Sequence, residues 1–196
     1  WNMTGQVLQV FSGHTATVES GSFTPDGKHA VTISEDGTLF VWDPKTGAPV
    51  HRISHATDGR FHDAPLTSLA VSPDSALCMS GSEENKVVVY HVQSGRLISV
   101  LEHHDGPVEA VAYSPSHPFA ASGGSDGKVV IYDTPSMRVR HTRNHDDVVS
   151  KLLWHPAQPM VVSASVDLKV CVWDARSGQN IHAFRGHRDA ILDAAI

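Results

Sequence analysis

The sequence has no long hydrophobic run, few cysteines and no excess of positive charge. Although 40% of its 196 residues are hydrophobic, no apolar stretch reaches the roughly 20 residues that a membrane helix requires, and no signal peptide is visible. Its two cysteines, Cys78 and Cys171, stand in apolar, strand-like runs far apart in the sequence. This predicts buried thiols in a reducing compartment rather than a disulfide framework. We expect a cytoplasmic location that extends to the nucleus, and no membrane partner.

The lack of basic residues bears on the choice of ligand. A net charge of −6 argues against direct nucleic-acid binding, because phosphate contacts need a basic surface, and it favours a basic partner instead. The 14 histidines are unusual in number, but they show neither the short ligand spacing nor the cysteine company of a zinc site. We expect no metal, no cofactor and no small-molecule substrate.

One pattern recurs along the chain at intervals of 41 to 48 residues. Each full copy contains a histidine, then a Ser or Thr ten residues before an aromatic residue, and an acid six residues before that aromatic. A fifth histidine, His187, stands near the end of the sequence. The four sets are His14, Thr32, Asp36 and Trp42; His62, Ser80, Glu84 and Tyr90; His104, Ser122, Asp126 and Tyr132; and His145, Ser163, Asp167 and Trp173.

A period of this length with Gly-His and Trp-Asp signatures is typical of WD40 repeats, each forming one four-stranded blade of a β-propeller. Helical periodicity is absent. In the first repeat, strands a to d are predicted at 18–23, 29–33, 38–42 and 50–54. We predict an all-β propeller with complete blades at about 12–54, 60–101, 102–142 and 143–184, and partial blades at 1–11 and 185–196. That is about half of a seven- or eight-bladed ring, so we expect a longer parent chain.

Each set of four residues is interpreted as a structural tetrad, a buried hydrogen-bond network within one blade. A Ser-His-Asp cluster also suggests a hydrolase, but an enzyme does not need four copies at structural spacing, so we predict no catalysis. The tetrad of Tyr90 departs most from the pattern. It has Glu84 in place of Asp, and Phe61 replaces the usual Gly before His62.

The second repeat also carries about seven extra residues near 56–61. This insertion falls in the 54–61 loop that joins strand d to the next strand a, and such loops tolerate insertions and also carry function. The loops expected on the same face of the propeller are rich in acids. A face of one sign steers oppositely charged partners, and we predict that six acids bind a basic client: Glu35, Asp63, Glu83, Asp105, Asp147 and Asp189. Val166 interrupts this arc.

The stretch VVSASVDLKVCVWDAR (161–176) resembles the segment with which WD40 substrate receptors contact the adaptor of cullin-4 ubiquitin ligases. Most of it is what any regular blade requires. Arg176 is the residue that the fold does not already explain, and it is therefore the candidate ligase-adaptor contact.

The stretches SFTPDGKHAVTISEDGTLFVWDPKTG (22–47), KLLWHPAQPMVVSASVDLKVCVWDARSG (151–178) and FRGHRDAILDAAI (184–196) resemble the family of angio-associated migratory cell proteins and their fungal counterparts. The fungal members are chaperones that hold the basic N-terminal segment of a large-subunit ribosomal protein. The resemblance therefore implies a non-enzymatic protein chaperone in ribosome biogenesis with a basic ribosomal client. Two alternatives stay open, a substrate receptor of a cullin-4 ligase and a general signalling scaffold.

Overall fold

A computed structural model of the chain describes residues 4–195, and it contains sixteen strands in four antiparallel four-stranded sheets. Each sheet is formed by four consecutive strands in chain order. The strands of the first two sheets are β1 (Val18–Phe23), β2 (Ala30–Ser34), β3 (Leu39–Trp42), β4 (Pro49–Ile53), β5 (Leu66–Val71), β6 (Leu77–Ser82), β7 (Val87–His91) and β8 (Leu97–Leu101). Those of the last two are β9 (Val108–Tyr113), β10 (Phe119–Gly124), β11 (Lys128–Asp133), β12 (Arg138–Asn144), β13 (Val149–Trp154), β14 (Met160–Ser165), β15 (Lys169–Asp174) and β16 (Asn180–Arg185).

These four sheets are the four blades, so the predicted fold class is confirmed. The first strands of successive blades contact each other, β1 with β5, β5 with β9 and β9 with β13. The two central strands of a blade are buried on both faces, which is why β3 and β7 read as nearly continuous apolar runs. Three apolar cores fill the three spaces between adjacent blades. Cys78 and Cys171 are buried as free thiols in two of these cores.

Because consecutive strands of each blade are antiparallel, the turns between them alternate between two opposite faces of the propeller. We call the upper face the side with the turns between the second and third strands and the loops that connect one blade to the next. The lower face carries the remaining two turns of each blade. The 54–61 loop therefore opens from the upper side, between β4 and β5.

The two terminal segments were assigned to partial blades at 1–11 and 185–196, and within them residues 4–11 and 186–195 form no strand. A strand is defined by its pairing with a neighbour, and the described residues supply no further strand beside either segment. Phe11 instead stacks on Trp42, with their ring centroids 5.4 Å apart. Trp1, Asn2 and Ile196, which the repeat pattern includes, lie outside the described residues.

In the range 4–195, the structure has no helix long and apolar enough to cross a membrane.

Candidate functional site

The fourth blade shows the buried network in its complete form. The Trp173 indole N–H donates to Ser163 Oγ at 2.8 Å, and Ser163 Oγ lies 2.7 Å from His145 Nε2. His145 Nδ1 lies 3.1 Å from Asp167 Oδ2. With a neutral imidazole, the Ser163 hydroxyl donates to Nε2 and the Nδ1–H donates to the carboxylate, so every polar group in the chain of bonds has a partner.

The first blade repeats this arrangement. Thr32 Oγ1 accepts from the Trp42 indole at 2.8 Å and lies 2.7 Å from His14 Nε2. His14 Nδ1 lies 3.3 Å from Asp36 and 3.0 Å from the Thr38 hydroxyl. Thr38 in turn donates to Asp36 at 2.5 Å. This carboxylate is therefore held by neutral hydroxyls as well as by the imidazole.

Tyrosine replaces tryptophan in the third and second blades, with different results. In the third blade, His104 joins Ser122 at 2.7 Å and Asp126 at 3.0 Å, and the Tyr132 hydroxyl bonds to Ser122 at 3.0 Å. A phenol can thus replace the indole as the fourth member of a tetrad.

In the second blade, His62 joins Ser80 at 2.9 Å and Glu84 at 3.1 Å, so Glu substitutes for Asp. The predicted fourth member is wrong, however: the Tyr90 hydroxyl is buried and forms no hydrogen bond with any residue of 4–195. We attribute this to Phe61, which is fully buried where other repeats have Gly13 or a polar residue. Its ring lies 5.2 Å from that of Tyr90 and 4.9 Å from that of His62.

The networks keep their carboxyl groups ionised. Burial alone would raise the pKa values of Asp36 and Asp167, but hydrogen bonds from Thr38 and from the backbone N–H groups of Thr15 and Asp146 outweigh it and lower both to about 2. Glu84 behaves in the same way, with a pKa lowered to about 2 against the effect of its burial. The charge of each acid is stabilised by these donors.

For two of the tetrad histidines, burial outweighs the neighbouring carboxylates and favours the neutral form of the side chain. It lowers the pKa of His62 and of His104, despite the opposing effect of the nearby Glu84 and Asp126 carboxylates. The neutral imidazole is therefore the form that the folded protein favours.

These clusters are unsuited to hydrolysis. Ser80, Ser122 and Ser163 are fully buried, and the oxygen of Ser163 already accepts the Trp173 indole N–H. A nucleophile must be able to reach its substrate, so the geometry supports a structural role.

Three lysines that the repeat pattern does not single out lie at the edge of the upper face. Lys86, Lys128 and Lys169 each stand two residues after a tetrad acid. Lys128 pairs with Asp105 and Lys169 with Asp146, while Lys86 lies 3.0 Å from Glu84. The sequence contained a signal for these lysines, since each stands at a fixed position after a tetrad acid. Thr38 holds the same position in the first blade and also binds its tetrad acid, Asp36.

This pairing changes the interpretation of the predicted client-binding acids. Asp105 is exposed and pairs with Lys128, so a basic client would compete with this lysine for its predicted contact. Five acids form no ion pair with any described residue and are exposed on or beside the upper-face loops: Glu35, Asp63, Glu83, Asp147 and Asp189.

The first two blades hold most of this free negative charge. The backbone N–H groups of Glu35 and Glu83 donate to the carbonyls of Thr17 and Pro65, at 3.0 and 3.1 Å, which gives the two glutamates equivalent places. Val166 occupies the same place in the fourth blade, with its N–H 3.0 Å from a loop carbonyl. The acidic arc is therefore interrupted there.

Acidic side chains line two clefts of the structure. Glu35 and Asp63 line a cleft of about 360 Å³ between the first and second blades, whose lining also includes Arg52. Glu19 and Glu109 line a second cleft of about 450 Å³ along the inner strands. Glu109 is half-buried, and its pKa is raised by that burial and by the negative charge of Glu83.

Arg176 lies away from these acids, in the turn between β15 and β16. It is exposed, and its carbonyl oxygen accepts from His141 Nε2 at 3.0 Å and from Arg140 at 3.3 Å. The turn is therefore fixed against β12, which leaves the guanidinium at the surface.

Over residues 4–195, no group of three or more His, Cys, Asp or Glu side chains is placed to hold a metal ion.

Comparison with known proteins agrees with this architecture. The family model described as WD domain, G-beta repeat matches four segments, 5–43, 49–91, 95–133 and 137–174. The crystal structure of the RRP9 WD40 repeats superposes with a TM-score of 0.84 at 22% identity, covering 92% of this chain and 55% of that one. At this identity the likeness concerns the fold alone.

Curated relatives match about half of the chain. A WD repeat-containing protein of Schizosaccharomyces pombe is 38% identical over 106 residues, which is 50% of this chain and 26% of that protein. The human angio-associated migratory cell protein is 33% identical over 100 residues, which is 51% of this chain and 22% of that protein. The aligned part of this chain thus spans about a quarter of each relative.

Proposed function

Because the chain belongs to the WD40 family, we propose that it is a non-enzymatic binding module that holds a basic segment of a large-subunit ribosomal protein during ribosome assembly. The observation that carries the proposal is the group of exposed upper-face acids without an ion-pair partner among residues 4–195, above all Glu35, Asp63 and Glu83. The similarity to angio-associated migratory cell protein supports a client of this kind. Such a client would be met in the cytoplasm or the nucleus.

The arrangement suits a lysine- or arginine-rich segment. The cleft lined by Glu35 and Asp63 offers a place for a basic side chain between two blades. Glu83 and Glu109 lie close enough for the charge of one to raise the pKa of the other, and a cation placed beside them would relieve this repulsion. Charge complementarity of this kind accelerates association and makes the affinity depend on salt.

A pair of double variants tests the proposal. Glu35→Gln with Glu83→Gln removes two free charges from the upper face, whereas Asp26→Asn with Asp74→Asn removes two charges from lower-face turns. Binding of a synthetic lysine- and arginine-rich peptide would be measured by titration at two salt concentrations. We expect the upper-face variant to weaken binding by roughly tenfold, about 1.4 kcal/mol, and to reduce its salt dependence.

The lower-face variant controls for net charge, since both variants lose the same charge. It should bind the peptide almost as well as the unaltered protein. Equal affinities for both variants would mean that the upper face does not recognise the basic segment, and the proposal would fail.

A second candidate function rests on the exposed side chain of Arg176. As a substrate receptor of a cullin-4 ligase, the protein would bind the ligase adaptor through this arginine. Arg176→Ala would then abolish adaptor binding and leave binding of the basic peptide unchanged.

A further inference from the structure

In the third and fourth blades, a lysine of the chain lies between two acids on the upper face. The ammonium group of Lys128 pairs with Asp105, and it also lies 3.6 Å from Oδ2 of the tetrad acid Asp126. The fourth blade repeats this set of residues as Lys169, Asp146 and Asp167. Each set thus contains a cation that offsets part of the negative charge of its two acids.

The first blade has no such cation, because Thr38 occupies the position of the lysine. The Thr38 hydroxyl donates to Asp36 Oδ1 at 2.5 Å, and the backbone N–H and hydroxyl of Thr15 donate to Oδ2 at 2.7 and 3.3 Å. These neutral groups give the carboxylate its hydrogen bonds but no opposite charge. Asp36 forms no ion pair with a lysine or arginine in the range 4–195.

The second blade has the lysine, but its tetrad acid binds it instead of the neighbouring acid. Asp63 directly follows the tetrad histidine, as Asp105 does in the third blade. Lys86 Nζ lies 3.0 Å from Glu84 Oε2, and it forms no ion pair with Asp63 in the described chain. We attribute this to the extra methylene of Glu84, which brings its second oxygen to the lysine. Asp63 is therefore left exposed and unpaired.

These two substitutions meet at one cleft between the first and second blades. It has a volume of about 360 Å³, and its lining includes Glu35, Asp36, Thr38 and Asp63. Its walls are close together, since a Cβ added at Gly37 in the first blade would lie 3.5 Å from the carbonyl oxygen of Ala64. Among the described residues, three carboxylates and no lysine line this cleft.

Arg52 also lines the cleft, but its charge lies elsewhere. Its guanidinium is 5.7 Å from the Phe40 ring centroid. Phe40 stacks on Trp42 and belongs to the apolar cluster on the face of the first blade that points away from the second. The arginine therefore does not replace the missing lysine.

The junction between the third and fourth blades is the internal reference for this cleft. Its turn is equally close to the next blade, because a Cβ added at Gly127 would lie 2.7 Å from the His145 carbonyl oxygen. Ser125 stands there in place of Glu35, and Lys128 and Lys169 are both bound to acids. The same architecture thus holds two lysines of the chain at one junction and none at the other.

We propose that the cleft between the first two blades binds a lysine side chain of the client, and that Thr38 and Glu84 determine this specificity. The client ammonium group would lie beside Asp36 and Asp63, where the later blades have a lysine of their own. Those blades show which ligand these carboxylate positions accept. Binding of a client lysine rests on the proposed function, and it adds the kind of side chain that the acidic face selects.

An ammonium group suits the cleft better than a guanidinium group. A guanidinium binds a carboxylate most strongly when its fork of N–H donors contacts both oxygens. Both oxygens of Asp36 already accept hydrogen bonds from Thr15 and Thr38, which hinders this paired contact. An ammonium group is a compact charge that makes single contacts, as Lys169 does with Asp167 at 3.2 Å.

The first test supplies the lysine from the protein itself. Thr38→Lys gives the first blade the residue that the other three blades have at this position, so we expect the variant to fold. Val166→Lys adds the same charge elsewhere on the upper face and serves as the control. Titration with a synthetic peptide whose basic residues are all lysines should give a dissociation constant at least about fivefold higher for Thr38→Lys than for Val166→Lys. Equal values would overturn the proposal.

A second pair of variants leaves the net charge unchanged. Glu84→Asp restores the acid that the other blades have, which should let Lys86 pair with Asp63. We expect the dissociation constant of the lysine peptide to rise at least about threefold. Glu102→Asp is the matched control, because Glu102 is exposed in the next loop, and it should leave the affinity unchanged. An unaltered affinity in Glu84→Asp would contradict the role of Glu84.

An arginine peptide of equal length and charge separates this proposal from the proposed function. The unaltered protein should bind the lysine peptide at least about threefold more tightly than the arginine peptide, and Thr38→Lys should abolish the difference. If neither peptide binds, the proposed function fails, and the lysine cleft fails with it. If both bind equally and both are weakened by Glu35→Gln with Glu83→Gln, the proposed function stands and the lysine cleft is wrong.

Discussion

The Tyr132 hydroxyl lies 3.0 Å from Ser122 Oγ, and this bond completes the buried network of the third blade. Tyr90 holds the equivalent position in the second blade, where its hydroxyl is buried without a partner among residues 4–195. Two tyrosines with the same repeat position thus contribute differently to stability.

Removing the two hydroxyls should therefore have different effects. Tyr132→Phe should lower the free energy of unfolding by about 1 kcal/mol, because it removes a buried hydrogen bond. Tyr90→Phe should be neutral or stabilising, since it removes a desolvated, unpartnered group. Urea unfolding would measure both. Equal destabilisation by the two variants would show that Tyr90 has a partner in solution.

His145→Ala should destabilise the protein by roughly 1–3 kcal/mol. It leaves the buried Ser163 hydroxyl and the Asp167 carboxylate each short of a partner. His187 is the matched control, because it belongs to the same repeat pattern but is exposed. His187→Ala should change the stability by less than about 0.5 kcal/mol. A melting temperature unaffected by His145→Ala would contradict the structural role of the tetrad.

Stability should fall in two stages as the pH is lowered. The pKa values of His62 and His104 are lowered by burial from their ordinary value of 6.5. The unfolded chain therefore binds protons more readily than the folded one below about pH 6.5, and stability decreases there. Asp36 and Asp167 have pKa values lowered from 3.8 to about 2, so their contribution is present above about pH 4 and is lost between there and about pH 2.

Chemical unfolding between pH 8 and pH 5 tests the histidine stage. His104→Gln should reduce the slope of stability against pH, because one of the two groups with a lowered pKa is then absent. A flat profile across this range in the unaltered protein would rule out neutral, buried histidines in the tetrads.

The repeat pattern allowed most of the strand positions to be predicted. In the first blade the strands predicted at 18–23, 29–33, 38–42 and 50–54 are found at Val18–Phe23, Ala30–Ser34, Leu39–Trp42 and Pro49–Ile53. This accuracy has a physical cause. The buried tetrad residues fix the register of the inner strands, and tight turns with Pro, Asp and Gly limit where each strand can begin.

The site was less predictable because it depends on contacts between repeats and on single substitutions. The sequence indicated that acids lie on the upper face, but only the fold shows that Lys128 reaches Asp105 from 23 residues away. The sequence also gave no indication that the Tyr90 hydroxyl lies outside the hydrogen-bond network of its tetrad. It follows from the packing of Phe61, whose unusual character was visible in the sequence although its effect on a neighbouring phenol was not.

The most direct test of the central claim is affinity purification of the protein from cells, with the bound partners quantified by mass spectrometry. We expect one basic large-subunit ribosomal protein as the main partner. It should be lost at raised salt and from Glu35→Gln with Glu83→Gln, and retained by the lower-face variant Asp26→Asn with Asp74→Asn. Recovery of that ribosomal protein from all variants alike, or of a ubiquitin-ligase adaptor that disappears with Arg176→Ala, would contradict it.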